Sequence, residues 1–185
     1  LPRQTEQAFI DIPFSDDGRD HGTKRFFRSG DIGHQDEDGY LYITGRKKDL
    51  IITAGGKNVA PQNIETLLRR IDGISQAVVI GDRRKFLSAL MTIDPERAPA
   101  LASEKGWPTD PAELAEHEAF RAHVDRGVEE ANAVLAKYET IKKYTLLPDD
   151  FTIETGELTP TQKIKRRVVN DKYGDAIEAF YEGLK

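Results

Sequence analysis

The chain has 185 residues, 38% of them hydrophobic and 32% charged, with a formal net charge of −5 and no cysteine. That composition suits a globular chain with one sizeable core or two small ones and excludes global disorder. The negative balance offers no general attraction to nucleic acid or to an anionic membrane, and the missing thiols exclude a disulfide scaffold and thiolate metal sites, so a reducing compartment, the cytoplasm, is expected.

The opening, LPRQTEQAFIDI, reads as the middle of a longer polypeptide. It has no basic-then-apolar signal region, and no run downstream reaches membrane-span length. From Phe9 to Lys24 the Asp, Gly and Pro content predicts a loop leading into a short run at Phe26–Arg28. A tight turn at Asp38-Gly39 then opens a strand over Tyr40–Thr44, with DLIIT as its expected antiparallel partner. Pro61 suits the first turn of a helix carrying Ile64, Leu67, Leu68 and Ile71, and Gly73 suits its end. QAVVIGD and LSALMTID read as adjacent core strands. Between Pro111 and Lys137, Phe120, Val124, Val128, Ala131 and Leu135 recur at helical spacing and predict one long amphipathic helix. KKYTLLPDDFTI returns to the sheet as a third strand, and the stretch from Lys163 to Leu184 is helical with an interruption at Gly174. The sum is an α+β fold: a small hairpin, then a mixed sheet of about three strands packed with helices.

Three stretches place charges where chemistry can use them. In FRSGDIGHQDEDG, the carboxylate after Gly30, Asp31, can approach the paired hydroxyls of a ribose, and the same residues also make an ordinary turn with a capping Asp. In GRKKDLIITAGGKNVAP, Arg46, Lys47 and Lys48 follow one strand and Gly55-Gly56 follows the next. That lets backbone pass close to a bound group with cations in phosphate reach; a lysine-guarded hairpin edge accounts for the same residues. No GKS or GKT marks a phosphate-cradling loop. In ELTPTQKIKRR, Lys163 follows a Pro-containing turn and precedes a helix. It is placed to offer an ammonium to a phosphate or carboxylate, or to join Lys165, Arg166 and Arg167 in a solvated basic face or a modest nucleic-acid patch. His21, His34, His117 and His123 have no metal-ligand spacing, and neither a G-x-S-x-G element nor a Cys/His pair is present, so no metal site and no hydrolase nucleophile is expected.

In their order, SGDIGHQDEDGYLYITGRKKDLIITAGGKNVAPQNIE and, about a hundred residues later, LTPTQKIKRR resemble the adenylate-forming superfamily of acyl-CoA synthetases, luciferases and peptide-synthetase adenylation domains, and most of all its long-chain fatty acyl-CoA synthetases. The resemblance implies a two-step ligase. A fatty acid attacks the α-phosphate of ATP to give acyl-adenylate and pyrophosphate, and CoA then displaces AMP to give the thioester. It implies that residues 1–46 end a large N-terminal domain and approach a hinge, and that residues 47–185 form the small, mobile C-terminal α+β domain. The phosphate loop and acyl pocket belong upstream, so this stretch alone is expected to be inactive, and Mg with ATP is expected to be held mainly by that upstream part.

Carried over by position, Asp31 matches the acidic residue on the ribose hydroxyls and Arg46 the arginine that contacts the nucleotide. Lys48 falls at the hinge, Gly55, Gly56 and Lys57 at the loop lining the CoA pantetheine tunnel, and Lys163 at the lysine that reaches the adenylation site. The implied partners are fatty acid, ATP, CoA and the chain's own large domain, with no nucleic acid and no membrane span; any membrane association is left to the upstream part. Ser29 and Gln162 stand where the family most often has Thr and Gly, and the lead-in FSDDGRDHGTKRFF is longer than usual. Two other readings stay open: an acyl-AMP ligase that serves a carrier protein, and a free-standing anion- or nucleic-acid-binding module.

Overall fold

In the computed structural model, which describes residues 9–13 and 23–183, the chain divides into two compact units, Leu1–Asp49 and Leu50–Lys185. The first holds two antiparallel pairs, β1 (Phe9–Pro13) with β2 (Thr23–Phe27) and β3 (Asp31–Gln35) with β4 (Leu41–Arg46). Both correct the sequence reading. Phe9–Pro13 is a strand and not a loop: β-branched Ile10 favours extended backbone, and Phe9 meets Phe27 directly across the pair with ring centroids 5.5 Å apart. The connecting residues, and with them most of the long lead-in, lie outside the described residues.

The partner of β4 is β3 and not DLIIT. The carboxylate of Asp36 accepts from the N–H groups of Asp38 at 3.1 Å and Tyr40 at 2.8 Å, which closes the turn and sets the strand before it against the strand after it. DIGHQ, with a glycine and three polar residues, carries too weak a strand pattern to be read beforehand.

The second unit runs β5 (Ile51–Ile52), β6 (Asn58–Val59), α1 (Pro61–Leu68), β7 (Ile74–Ile80), β8 (Leu87–Ile93), α2 (Arg97–Lys105), α3 (Pro111–Glu116), α4 (Glu118–Ala133), β9 (Ile141–Leu147), α5 (Arg166–Lys172) and α6 (Gly174–Tyr181). The isoleucines of DLIIT pair with β6 across the glycine loop. The main sheet has the order β7-β8-β9, antiparallel then parallel, which is the expected mixed three-stranded sheet.

Alternation along the strands builds two cores. Ala77, Val79, Ala89 and Met91 face Ile64, Leu68, Phe120 and Val124, while Val78 and Leu90 face Phe151, Val169, Ile177 and Phe180. β8 is covered on both faces, so all seven of its residues are buried.

Two helices depart from expectation. The long helix breaks at His117, whose backbone is extended (φ −71, ψ 123), and ends at Ala133. At 3.6 residues per turn, the buried Leu114 and Phe120 would sit about 120° apart on a single helix, so one rod cannot aim both at the core. α2 was not foreseen because it buries only two alanines, Ala98 and Ala102. The C-terminal helical stretch divides as read, with Gly174 opening α6.

Candidate functional site

Asp31 and Arg46 are brought together. They stand opposite each other in the β3–β4 register, with Arg46 Nε 3.0 Å from Asp31 Oδ1. The N–H of Asp31 is held by Ser29 Oγ at 3.1 Å, and the Lys47 N–H donates to the carbonyl of Gly30 at 2.8 Å. A hydroxyl is what this place uses, which accounts for Ser standing in for Thr. The pair offers a carboxylate oxygen to accept from hydroxyls beside guanidinium N–H groups that can donate to a nucleotide.

Lys48 is exposed in the single 3₁₀ turn Lys47–Asp49, and the boundary between the compact units falls one residue past that turn's midpoint. Beyond it, Gly55, Gly56 and Lys57 form the tip of the β5–β6 loop. The loop is tied at its base: Thr53 N–H donates to the Lys57 carbonyl at 3.0 Å, Gly56 N–H to the Thr53 carbonyl at 2.8 Å, and Lys57 N–H to Thr53 Oγ1 at 3.1 Å. Gly56 has φ +72 and needs glycine for that reason. Gly55 does not: a Cβ there would come no nearer than 3.9 Å to Thr53 Oγ1, so the unit itself sets no steric demand for glycine.

Lys163 sits in a turn of its own. Leu158 and Ile164 form an antiparallel bridge, and between them the Thr159 N–H donates to the Lys163 carbonyl at 2.8 Å while Lys163 N–H donates to Thr159 Oγ1 at 3.0 Å. Gln162 takes the left-handed conformation, φ +59, and the Lys163 side chain is exposed. Below the turn lies Glu157, only 1% exposed, which accepts from Lys172 Nζ at 2.5 Å, from Tyr173 Oη at 3.3 Å and from Thr155. Burial pushes the Glu157 carboxyl up, but the hydrogen bonds from Lys172 and Thr155 and the charge of Lys172 outweigh it and hold the group at about 2. Lys172 is raised in turn, chiefly by its hydrogen bond to Glu157.

The neighbouring cations differ in how firmly they are held. Arg166 is paired with Glu65, and Arg167 Nε lies 3.7 Å from Asp171 one helical turn on. The Lys165 N–H donates to the Glu157 carbonyl at 2.7 Å, and its side chain is half-buried.

Beside the glycine loop runs a cleft of about 240 Å³ lined by Gly55, Lys57, Lys85, Lys137, Tyr138 and Lys142 among others. No carboxylate residue lines it among the described residues, and Lys57 Nζ sits 5.6 Å from the centre of the Tyr138 ring. Four lysines line the cleft, one of them over the Tyr138 ring, which suits a ligand that joins a ring to several phosphates. Sequence reading named only Lys57 here. Lys85 comes from the β7–β8 turn and Lys137 and Lys142 from the stretch around Tyr138, and only those basic residues flanking Tyr138 hinted at the cluster.

A family model described as the AMP-binding enzyme C-terminal domain matches residues 48–185. The chain belongs to this family. In Mycobacterium tuberculosis, the long-chain-fatty-acid–CoA ligase FadD15 is 49% identical over 168 residues, covering 86% of this chain and 27% of its own length. The mouse long-chain-fatty-acid–CoA ligase ACSBG1 is 40% identical over 179 residues, covering 86% of this chain and 25% of its own. Among solved structures, the A-PCP didomain of carboxylic acid reductase from Segniliparus rugosus, in complex with AMP, aligns with a TM-score of 0.68 at 25% identity, over 98% of this chain and 22% of that one. The chain thus spans about a quarter of the length of these relatives. Within the AMP-binding C-terminal domain lie the glycine loop, the lysine-lined cleft and the Lys163 turn, while Asp31 and Arg46 precede its first matched residue.

Proposed function

We propose that this chain is the C-terminal part of an AMP-forming long-chain fatty acyl-CoA synthetase, which converts ATP, a fatty acid and CoA to acyl-CoA, AMP and pyrophosphate. Residues 1–46 end the large N-terminal domain, residues 47–185 are the mobile domain, and Lys48 is the hinge; the boundary after Asp49 supports this division. Asp31 holds the ribose hydroxyls and Arg46 the nucleotide. Lys163 supplies an ammonium as negative charge develops on the α-phosphate and the attacking carboxylate, which stabilises the transition state more than the ground state. After the domain turns, the Gly55–Lys57 loop lines the path of the CoA thiol. Mg accompanies ATP and is held mainly by the upstream part, which also bears the acyl pocket.

The observation that carries this reading is the state of the cations around Lys163. Arg166 is drawn inward onto the buried Glu65 and Arg167 lies near Asp171 on the exposed face of its helix, while Lys163 stands exposed on a turn fixed by Thr159, which suits a single delivered charge better than a continuous nucleic-acid stripe. The four lysines beside the glycine loop favour CoA, with its several phosphates, over the single phosphodiester of a carrier protein's arm.

In the intact ligase, Lys163→Ala should slow adenylation roughly a hundredfold, on the order of 3 kcal/mol by analogy with a lost oxyanion donor, while attack of CoA on supplied acyl-adenylate continues. Lys165→Ala should be mild in both half-reactions. Loss of adenylation with Lys165→Ala, and not with Lys163→Ala, would overturn the assignment.

A further inference from the structure

Arg166 begins α5, three residues past Lys163, and turns inward. Its guanidinium donates to the Glu65 carboxylate and, at 3.2 Å, to the carbonyl of Val79, while Glu65 accepts from the Val79 N–H at 2.8 Å. Val79 lies on β7, an outer strand of the three-stranded sheet, where outward backbone groups lack a strand neighbour. The Glu65–Arg166 pair closes on that N–H and C=O as the peptide of a further strand would. Glu65 is 7% exposed and belongs to α1, which starts four residues after Lys57. One point on the sheet edge therefore holds both the helix that follows the glycine loop and the helix that follows Lys163.

We propose that Glu65 and Arg166 are positioning residues for Lys163, fixing the C-terminal foot of its turn to the edge of β7. The inference rests on the reading of Lys163 as the adenylation lysine. An ammonium on a four-carbon stem stabilises a transition state only if its backbone is held within a fraction of an ångström, and solvent-exposed Lys163 has no side-chain packing to do this. The N-terminal foot is anchored separately, through Glu157 to α5. The Glu65–Arg166 clamp also keeps the Lys163 turn and the glycine loop at a constant separation, so one rotation of the domain withdraws the first as it brings in the second.

The test combines Glu65→Gln with Arg166→Met, which avoids leaving a buried carboxylate without its cation. In this chain, amide hydrogen exchange at Lys163 and Lys165 should quicken about tenfold or more while Leu90 and Met91 in the central strand keep their protection. In the intact ligase, the same double variant should lower kcat for acyl-adenylate formation about tenfold with KM for ATP unchanged, and leave CoA attack on supplied acyl-adenylate as it was. Phe120→Leu, a core change in the opposite layer, should lower thermal stability without either effect. Exchange at Lys163 and Lys165 that rises only in step with Leu90 and Met91, or a retained kcat, would overturn the positioning role. Full adenylation activity in Lys163→Ala would instead sink the reading on which it rests, so the two failures are distinct.

Discussion

Replacing Glu157 with Gln tests how the Lys163 turn is held from below. The carboxyl is buried, bonded by Lys172 Nζ at 2.5 Å, and held at about 2 against an ordinary 4.5. A carboxyl whose folded value lies below its unfolded one contributes its full stability above the unfolded value and loses it as pH falls through the folded one. At 1.36 kcal/mol per pH unit, the gap between 4.5 and about 2 is worth roughly 3 kcal/mol at pH 7. Lys172 is 45% exposed, and solvent screening on its side brings the expected figure to about 2 to 3 kcal/mol. Glutamine keeps the shape and gives up the charge. Urea unfolding of the parent chain and Glu157→Gln should therefore differ by about 2 to 3 kcal/mol at pH 7, with the difference shrinking between pH 5 and pH 2 until the two chains unfold alike. Groups common to both chains cancel in the comparison. A difference that stays constant down to pH 2 would show that shape and not charge anchors the turn, and the electrostatic account of Glu157 would be wrong.

Gly56→Ala should cost about 1 to 2 kcal/mol in thermal or urea unfolding, because its backbone sits at φ +72, while Gly55→Ala should unfold like the parent. In the intact ligase, Gly55→Ala should nevertheless slow thioester formation and spare adenylation; unchanged thioester formation would remove the pantetheine path from this loop. Lys48→Pro should leave single-turnover adenylation far less affected than thioester formation, since proline fixes φ at the pivot, and equal losses in both would point to damaged folding. Lys57→Ala and Lys142→Ala should each weaken CoA binding by calorimetry several-fold at low salt and much less at high salt; a salt-independent effect would refute the ionic reading of the cleft.

Where local pattern and burial agree, the fold was legible. Val78 and Val79 alternate faces, as do Leu90 and Met91, and the two runs ending at Gly81 and at Asp94 read as core strands without help from anything distant. Pro61 followed by Ile64 and Leu68 reads as a helix for the same reason. What failed depended on partners. The pairing of β4 hangs on one Asp36 side chain closing a turn, and DIGHQ, weak in strand pattern, did not stand out beside the apolar DLIIT. α2 offers two alanines to the core, and small residues leave no apolar stripe to see. For the candidate site, motif spacing singled out Asp31, Arg46, the glycine loop and Lys163. It could not show that Arg46 faces Asp31, that Arg166 turns inward to a glutamate 101 residues away, or that lysines from separate stretches share a cleft.

The choice between Lys163 and Lys165 turns on backbone geometry more than on charge, because the two side chains carry the same group. The turn from Thr159 to Lys163 closes only if the residue before the lysine adopts the left-handed conformation, and Gln162 does so at φ +59. A non-glycine residue there costs about 1 to 2 kcal/mol, which explains why glycine is the commoner solution at this place and why glutamine, unbranched at Cβ, is tolerated. The left-handed Gln162 immediately precedes Lys163, so the chain turns over Pro160 to Gln162 and Lys163 closes that turn against Thr159 with its own side chain exposed. Lys165 comes two residues later, where the chain has already bridged back through Leu158 and Ile164 and its N–H is bonded to the Glu157 carbonyl. A lysine at that point is part of the anchor, whereas Lys163 stands where the turn closes with its side chain exposed, which favours it as the delivered charge in the proposed reaction.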